Sequence, residues 1–187
     1  MKPDPIDVPI PGLVALIGAA GAGKSTLAGR LFEPSEILSS DALREAISGD
    51  ASDQRATRPA FGILHREIRR RLAAGRLVVV DATNVEPAAR RSLISLARRA
   101  AVPALAIAII PSRSEVHARN AGRIGRIVPP AIVDRHLERA AALGADPDAV
   151  AVALLGEGFA RAHVLRTPDE LDAVRIRRRV ADPLSRP

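Results

Sequence analysis

The sequence predicts an α/β protein: a parallel sheet of four to five strands flanked by helices, with a helical lid. Three observations predict it. Short apolar runs at Leu13–Ile17, Leu77–Val80 and Ala104–Ile110 alternate with longer stretches of helical periodicity, the pattern of repeated strand–helix–strand units. Each run is continuously apolar rather than alternating, as in strands buried on both faces. The first is followed at once by Gly18-Ala19-Ala20-Gly21-Ala22-Gly23-Lys24-Ser25. That stretch satisfies G-x-x-x-x-G-K-[ST], a phosphate-binding loop that requires a strand before it and a helix after it.

The elements follow in order. Residues 1–11 read as an extended leader punctuated by proline, and 12–18 as the first strand. The glycine loop leads into a helix running to about Phe32. Glu36–Ser39 is a short strand, and Ala42–Ile47 begins a helix that Ser40 or Asp41 is suited to cap. Residues 49–58 are polar and weakly patterned, hence a loop. Pro59–Ala74 is an amphipathic helix with proline near its start and Gly75 as its stop. Strand Leu77–Val80 precedes Asp81-Ala82-Thr83-Asn84, and Pro87–Ala101 is a helix with many exposed arginines. After the strand ending at Ile110, residues 112–143 are helical on both sides of a Gly122–Pro130 break, the geometry of a closing lid. Asp146–Leu155 is a helix, Ala162–Leu165 a last strand, and Ala173–Val180 an edge strand. Right-handed crossovers gather the strand-end loops on one sheet edge, where ligands bind in open α/β sheets.

At 187 residues the chain reads as a single domain, 1–187. The absence of cysteine excludes disulfides, thiolate metal sites and cysteine catalysis, and fits a cytoplasmic protein. The start, MKPDPIDVPIPG, lacks the apolar run of an export signal. No apolar stretch approaches the length of a membrane span. The net charge of +7 is compatible with polynucleotide binding. Lysine stands only at 2 and 24, however, so arginine supplies nearly all of the 28 basic residues and the bias is a general one.

The loop predicts binding of ATP or GTP with Mg²⁺. The backbone N–H groups of residues 18–26 would cradle phosphate, with the positive end of the following helix behind them. Lys24 would reach the β and γ phosphates, and Ser25 would hold Mg²⁺. Transfer of a phosphoryl group needs more: a proton acceptor, positive charge over the moving group, and a placed acceptor. Asp41 is the candidate base, with helix capping as its alternative. Arg44, three residues on, shares a helix face with Asp41 and can clamp an anionic part of the acceptor, or pair with Asp41 or Glu45. Asp81, at a strand end, can hold Mg²⁺ directly or through water. Asn84 can bond the loop or the substrate. Arg119, Arg123 and Arg126, spaced by four and three, share one side of a helix if the helix persists. Such arginines repel unless an anion lies among them, or else they form a solvated basic surface.

The segments GAAGAGKST, SSDALR, VVVDATN and RNAGRIGRIVP, in that order, resemble the polynucleotide 5′-hydroxyl kinase family. This is the kinase module of bacterial and phage end-healing enzymes, within the AAA-like group of P-loop kinases. The resemblance spans roughly residues 12–166 and includes EGFARAHVL at 157–165. It implies ATP phosphates on Lys24, Mg²⁺ on Ser25, and Asp41 as the base that activates a 5′-hydroxyl. It implies Arg44 on the phosphate beside that nucleoside, and Arg119 on the ATP phosphates with Arg123 as helper. The Asp-x-Asp-x-Thr signature of a companion phosphatase is missing, because Asp81-Ala82-Thr83 lacks the second Asp. The implied function is transfer from ATP to the 5′-OH end of RNA or DNA. The alternative is a metabolite kinase of the same fold, with a non-catalytic nucleotide switch as a third reading.

Overall fold

Parity sorts the apolar runs between two cores. Leu13, Ala15, Ile17, Val78, Val80, Ala104, Ala106 and Ala108 enter one cluster; Val14, Leu16, Leu77, Val79, Leu105, Ile107 and Ile109 enter the other. A strand turns successive side chains to opposite faces, so a continuous apolar run feeds two cores at once. The computed structural model describes residues 4–49, 57–123 and 127–180. Its central sheet has five parallel strands. They are β2 (Gly12–Ile17), β3 (Ile37–Ser39), β4 (Leu77–Asp81), β5 (Ala104–Ile109) and β6 (Arg161–Leu165), in the order β3-β4-β2-β5-β6. The helices are α1 (Lys24–Leu31), α2 (Ser40–Ser48), α3 (Thr57–Ala73), α4 (Pro87–Arg99), α5 (Arg113–Ala121), α6 (Pro130–Ala141), α7 (Pro147–Glu157) and α8 (Pro168–Ala173). The expected α/β class and strand number are those observed. No helix among the described residues is long and apolar enough to cross a membrane.

The two chain ends depart from expectation. The leader contains β1 (Ile6–Ile10), paired in parallel with β7 (Ile176–Val180) as a separate two-stranded sheet. The edge strand expected at Ala173–Val180 is β7, shorter than expected because Ala173 closes α8. The prolines at 5, 9 and 11 disguised the leader, but Ile6 and Val8 alternate with polar residues and are 4% and 0% exposed in the second core. Asp7 faces outward and accepts from Arg177 Nε at 2.6 Å and Arg179 Nε at 3.2 Å. Helix α8 begins at a capping box: Thr167 Oγ1 accepts from Glu170 N at 3.2 Å, and Glu170 Oε2 accepts from Thr167 N at 3.1 Å. Arg30 of α1 donates to the carbonyls of Leu171 and Val174, which holds this tail on the sheet.

Most of the segment expected as a loop at 49–58, residues 50–56, lies outside the described residues; 57 and 58 belong to α3. The cap of α2 is Ser39, whose Oγ accepts from Ala42 N at 3.4 Å, rather than Ser40 or Asp41. Asp41 lies inside the first turn, so capping does not account for it.

Candidate active site

Strand register brings the site together. Leu16, Ser39 and Asp81 lie level across β2, β3 and β4. The residues that follow them emerge at one sheet edge, beside the point where the chain crosses from β4 over β2 to β5. A cavity of about 250 Å³ opens there. Ala20, Gly21, Gly23, Lys24, Ser25 and Thr26 form its floor; Ser40, Asp41, Asp81, Ala82 and Thr83 form one wall; Arg119 and Arg123 close the other. Ser40, Ala82 and Thr83 belong to the strand-end loops expected to gather at this edge.

The loop conformation depends on glycine at two points. Gly18 has φ 154°, and a Cβ there would stand 2.4 Å from the Ile109 carbonyl oxygen. Gly21 has φ 88°, and a Cβ would stand 2.8 Å from the Val116 carbonyl oxygen. Both positions exclude other residues by backbone angle and by contact. Ala19 and Ala22 are buried in the flanking cores and are not among the residues that line the cavity. Lys24 is buried, and its Nζ donates to the carbonyls of Gly18 (3.0 Å) and Ala19 (2.8 Å). Two of three ammonium N–H donors are thus used, and the third is available to an anion in the cavity. A glycine-bounded floor, a helix N-terminus and a buried ammonium fit a polyphosphate. The Ser25 hydroxyl and the Asp81 carboxylate, both on the cavity, fit a cation carried by that phosphate. Among the described residues there is no cluster of three His, Asp or Glu side chains that could hold a metal by itself. Mg²⁺ does not need one, since it keeps much of its water and binds through one or two carboxylates plus phosphates.

In the lid, helix α5 ends at Ala121 and α6 starts at Pro130, at the expected break, so the helix does not persist to carry Arg119 and Arg123 on one helical face. Arg119, in the last turn, donates from Nη1 to the Ala22 carbonyl at 3.2 Å. Arg123, beyond the Gly122 cap, also lines the cavity; Arg126 lies outside the described residues. Asn120 holds the break together. It is buried, its Nδ2 donates to Val128 O at 2.7 Å, and its Oδ1 accepts from Val128 N at 3.1 Å. Nothing local in the sequence marks that role, because the partner lies beyond the turn.

Two expected acceptor residues are placed differently. Arg44 is 9% exposed, sits behind the wall, and bonds the Asp41 carboxylate. This is the pairing alternative, and it presents an oriented Asp41 to the cavity. Asn84 does not line the cavity. It is 4% exposed and its Nδ2 donates to Leu16 O at 2.7 Å, so its amide supports the loop instead of a substrate. A second cavity of about 230 Å³ shares Gly23, Thr26 and Arg119 with the first and continues to Arg30, Pro168, Leu171 and Asp172. The sequence gives no local sign of it, because α8 forms its far side.

The profile of a family described as an AAA domain matches residues 13–147, well over half of the chain. The chain belongs to this family. No curated protein matches it significantly. Among solved structures, this AAA-domain chain is similar to a gluconokinase from Sinorhizobium meliloti 1021, at 21% identity and TM-score 0.55, covering 89% of each chain. It is similar to Kti12 of Chaetomium thermophilum, solved with ADP-AlF3, at 16% identity and TM-score 0.59, covering 87% of this chain and 94% of that one. It is also similar to a chain of the Pnkp1/Rnl/Hen1 RNA repair complex, at 17% identity and TM-score 0.59, covering 71% of this chain and 44% of that one. At these identities the likeness shows the fold alone, a P-loop kinase-like one.

Burial gives this AAA-domain protein a pH signature. Desolvation pushes the Lys24 ammonium down to about 8, against partial compensation from Asp81 and Asp41. Between about 8 and the ordinary lysine range the folded protein holds fewer protons than the unfolded chain, so this group's contribution to stability rises with pH across that window. A polyphosphate beside Lys24 favours its charged form. Nucleotide binding at pH 9 is therefore expected to take up a proton, and affinity to fall as pH rises above about 8. Calorimetry in two buffers of different ionisation heat reads the uptake; none at pH 9 would remove Lys24 from the phosphate site.

Proposed function

We propose that this protein is an ATP-dependent kinase that transfers the γ-phosphoryl group to the 5′-OH end of RNA or DNA. The observation that carries this reading is the placement of Asp41, oriented by Arg44, across one cavity from Lys24, with Arg119 and Arg123 above. Asp41 takes the proton from the acceptor hydroxyl as its oxygen bonds to the γ-phosphorus. The bond from that phosphorus to the bridging oxygen breaks, ADP leaves, and Asp41 returns its proton to solvent. Lys24, Arg119 and Arg123 balance charge on the transferring group. Mg²⁺, held on Ser25 and Asp81, would neutralise the phosphate oxygens. With its γ end at Asp41, ATP extends the opposite way, toward the second cavity, which takes the nucleoside. GTP is the other donor of matching chemistry.

The polynucleotide part rests on SSDALR, DATN and the arginine lid together. Aromatic stacking platforms are few: Phe61 packs against the core and edge-on to His65. The grip on nucleic acid is therefore ionic and weakens with salt. A metabolite kinase is the second reading, favoured by the gluconokinase likeness that spans both chains.

The test incubates the protein with Mg²⁺ and γ-labelled ATP beside 5′-OH and 5′-phosphate oligonucleotides. Label on the 5′-OH strand alone supports the reading. ATP consumption without labelled oligonucleotide moves the acceptor to sugars and nucleosides. Arg44→Ala is expected to raise the acceptor KM or lower kcat with ATP binding little changed; an unaltered acceptor dependence would remove Arg44 from this role.

A further inference from the structure

The largest fully buried side chain among the described residues is a charged one. Arg90, expected among exposed arginines of α4, is 2% exposed. A buried guanidinium is costly unless its donors are satisfied. Arg90 Nε and Nη2 donate to the two Glu157 carboxylate oxygens at 2.7 and 2.6 Å. Its Nη1 donates to the backbone oxygens of Asn84 (3.1 Å) and Val85 (2.6 Å). The first pair ties α4 to the end of α7. The second is spent on the loop between β4 and α4, where Asn84 has φ 48°, a left-handed conformation uncommon away from glycine.

That loop in turn holds the phosphate-binding loop. The Gly18 N–H donates to Thr83 O at 2.9 Å, and the Asn84 amide donates to Leu16 O. Thr83 and Ala82 of the same loop line the cavity. A continuous line of hydrogen bonds and two residues of backbone thus joins Glu157, Arg90, the 82–86 loop and Gly18.

We infer that Arg90, oriented by Glu157, is a positioning residue for phosphoryl transfer: it sets the 82–86 loop in the conformation that places Thr83 and Gly18 at the nucleotide site. The inference rests on the kinase reading of this cavity. Packing alone does not require an arginine, because an apolar side chain could fill the space between α4 and α7 but could not reach the Asn84 and Val85 carbonyls. Replacing a buried ion pair with a packed apolar pair is often neutral for stability. Two carbonyls lose a donor in the exchange, so a thermal melt is read first and the variant is used where its midpoint stays near wild type.

The experiment compares wild type with the double variant Arg90→Met, Glu157→Leu. Three quantities are read: exchange of the Gly18 amide by NMR, binding of a fluorescent ATP analogue with Mg²⁺, and phosphoryl release from ATP to water or acceptor. With a thermal midpoint near wild type, the variant is expected to exchange the Gly18 amide up to about tenfold faster, as one weakened hydrogen bond allows. Transfer is expected to fall about 100-fold, the scale of a misplaced reacting group. Wild-type exchange or wild-type turnover in the folded variant would overturn the positioning role. Wild-type protein that does not bind the analogue would overturn the kinase reading itself, while Gly18 exchange still reports on Arg90. If the double variant does not fold, Glu157→Gln, which keeps the volume and one acceptor oxygen, takes its place. Faster Gly18 exchange with slower transfer in that variant supports the positioning role, and wild-type values of either overturn it.

Discussion

Asp41→Asn is expected to cut phosphoryl transfer by orders of magnitude and to leave ATP binding close to wild type. Asparagine matches aspartate in shape and cannot take up the acceptor proton, and loss of a general base costs about 10²–10⁴-fold in rate. The fold survives the change for two reasons. Ser39, not Asp41, caps α2. The Asp41 side chain is 45% exposed, and asparagine keeps an amide oxygen that the Arg44 guanidinium can still bond, so the pair is weakened rather than lost. In the proposed reading Asp41 meets the acceptor rather than ATP, so the ATP dependence is expected to stay put. Single-turnover transfer from labelled ATP, run beside a thermal melt, separates the two effects. Wild-type turnover would strip Asp41 of the base role and leave the cavity with nucleotide binding alone.

Lys24→Ala has the second large effect, and it falls on donor as well as rate. The buried ammonium is aimed by two backbone carbonyls at the floor of the cavity. Removing a preorganised charge of this kind costs about 10²–10³-fold in transfer, and MgATP affinity falls with it. The fold tolerates the loss. Desolvation already disfavours the charge, and the space left behind adjoins a cavity that water can enter. A thermal midpoint within about 4 °C of wild type is expected. Full nucleotide affinity in Lys24→Ala would show that the phosphates bind elsewhere.

Much of this site is legible from local chemistry. The floor is written in eight consecutive residues, because glycine angles and a helix N-terminus are properties of the chain itself. Asp41 and Asp81 are legible for a similar reason, since each closes or follows an apolar strand, and parallel strands deliver their ends to one edge. The sequence carries a capping pattern at Thr167–Glu170, but α8 was not expected there. Arg90 and Asn84 were not readable. Arg90 meets Glu157 67 positions away, and Asn84 reaches Leu16 68 positions back. An arginine in a helix rich in arginine carries no local sign that it is the buried one.

The periodicity of the chain and its glycine loop were sufficient for the α/β class, the parallel sheet and a phosphate site, because those follow from side-chain alternation and backbone sterics acting over a few residues. Tertiary packing was needed for the pairing of β1 with β7 and for the division between side chains that face the cavity and those that brace it. Arg44, Asn84 and Arg90 carry groups equally able to meet a substrate or a carbonyl. Which one each meets is set by burial, since a buried polar group must find a partner within the fold while an exposed one can wait for a ligand.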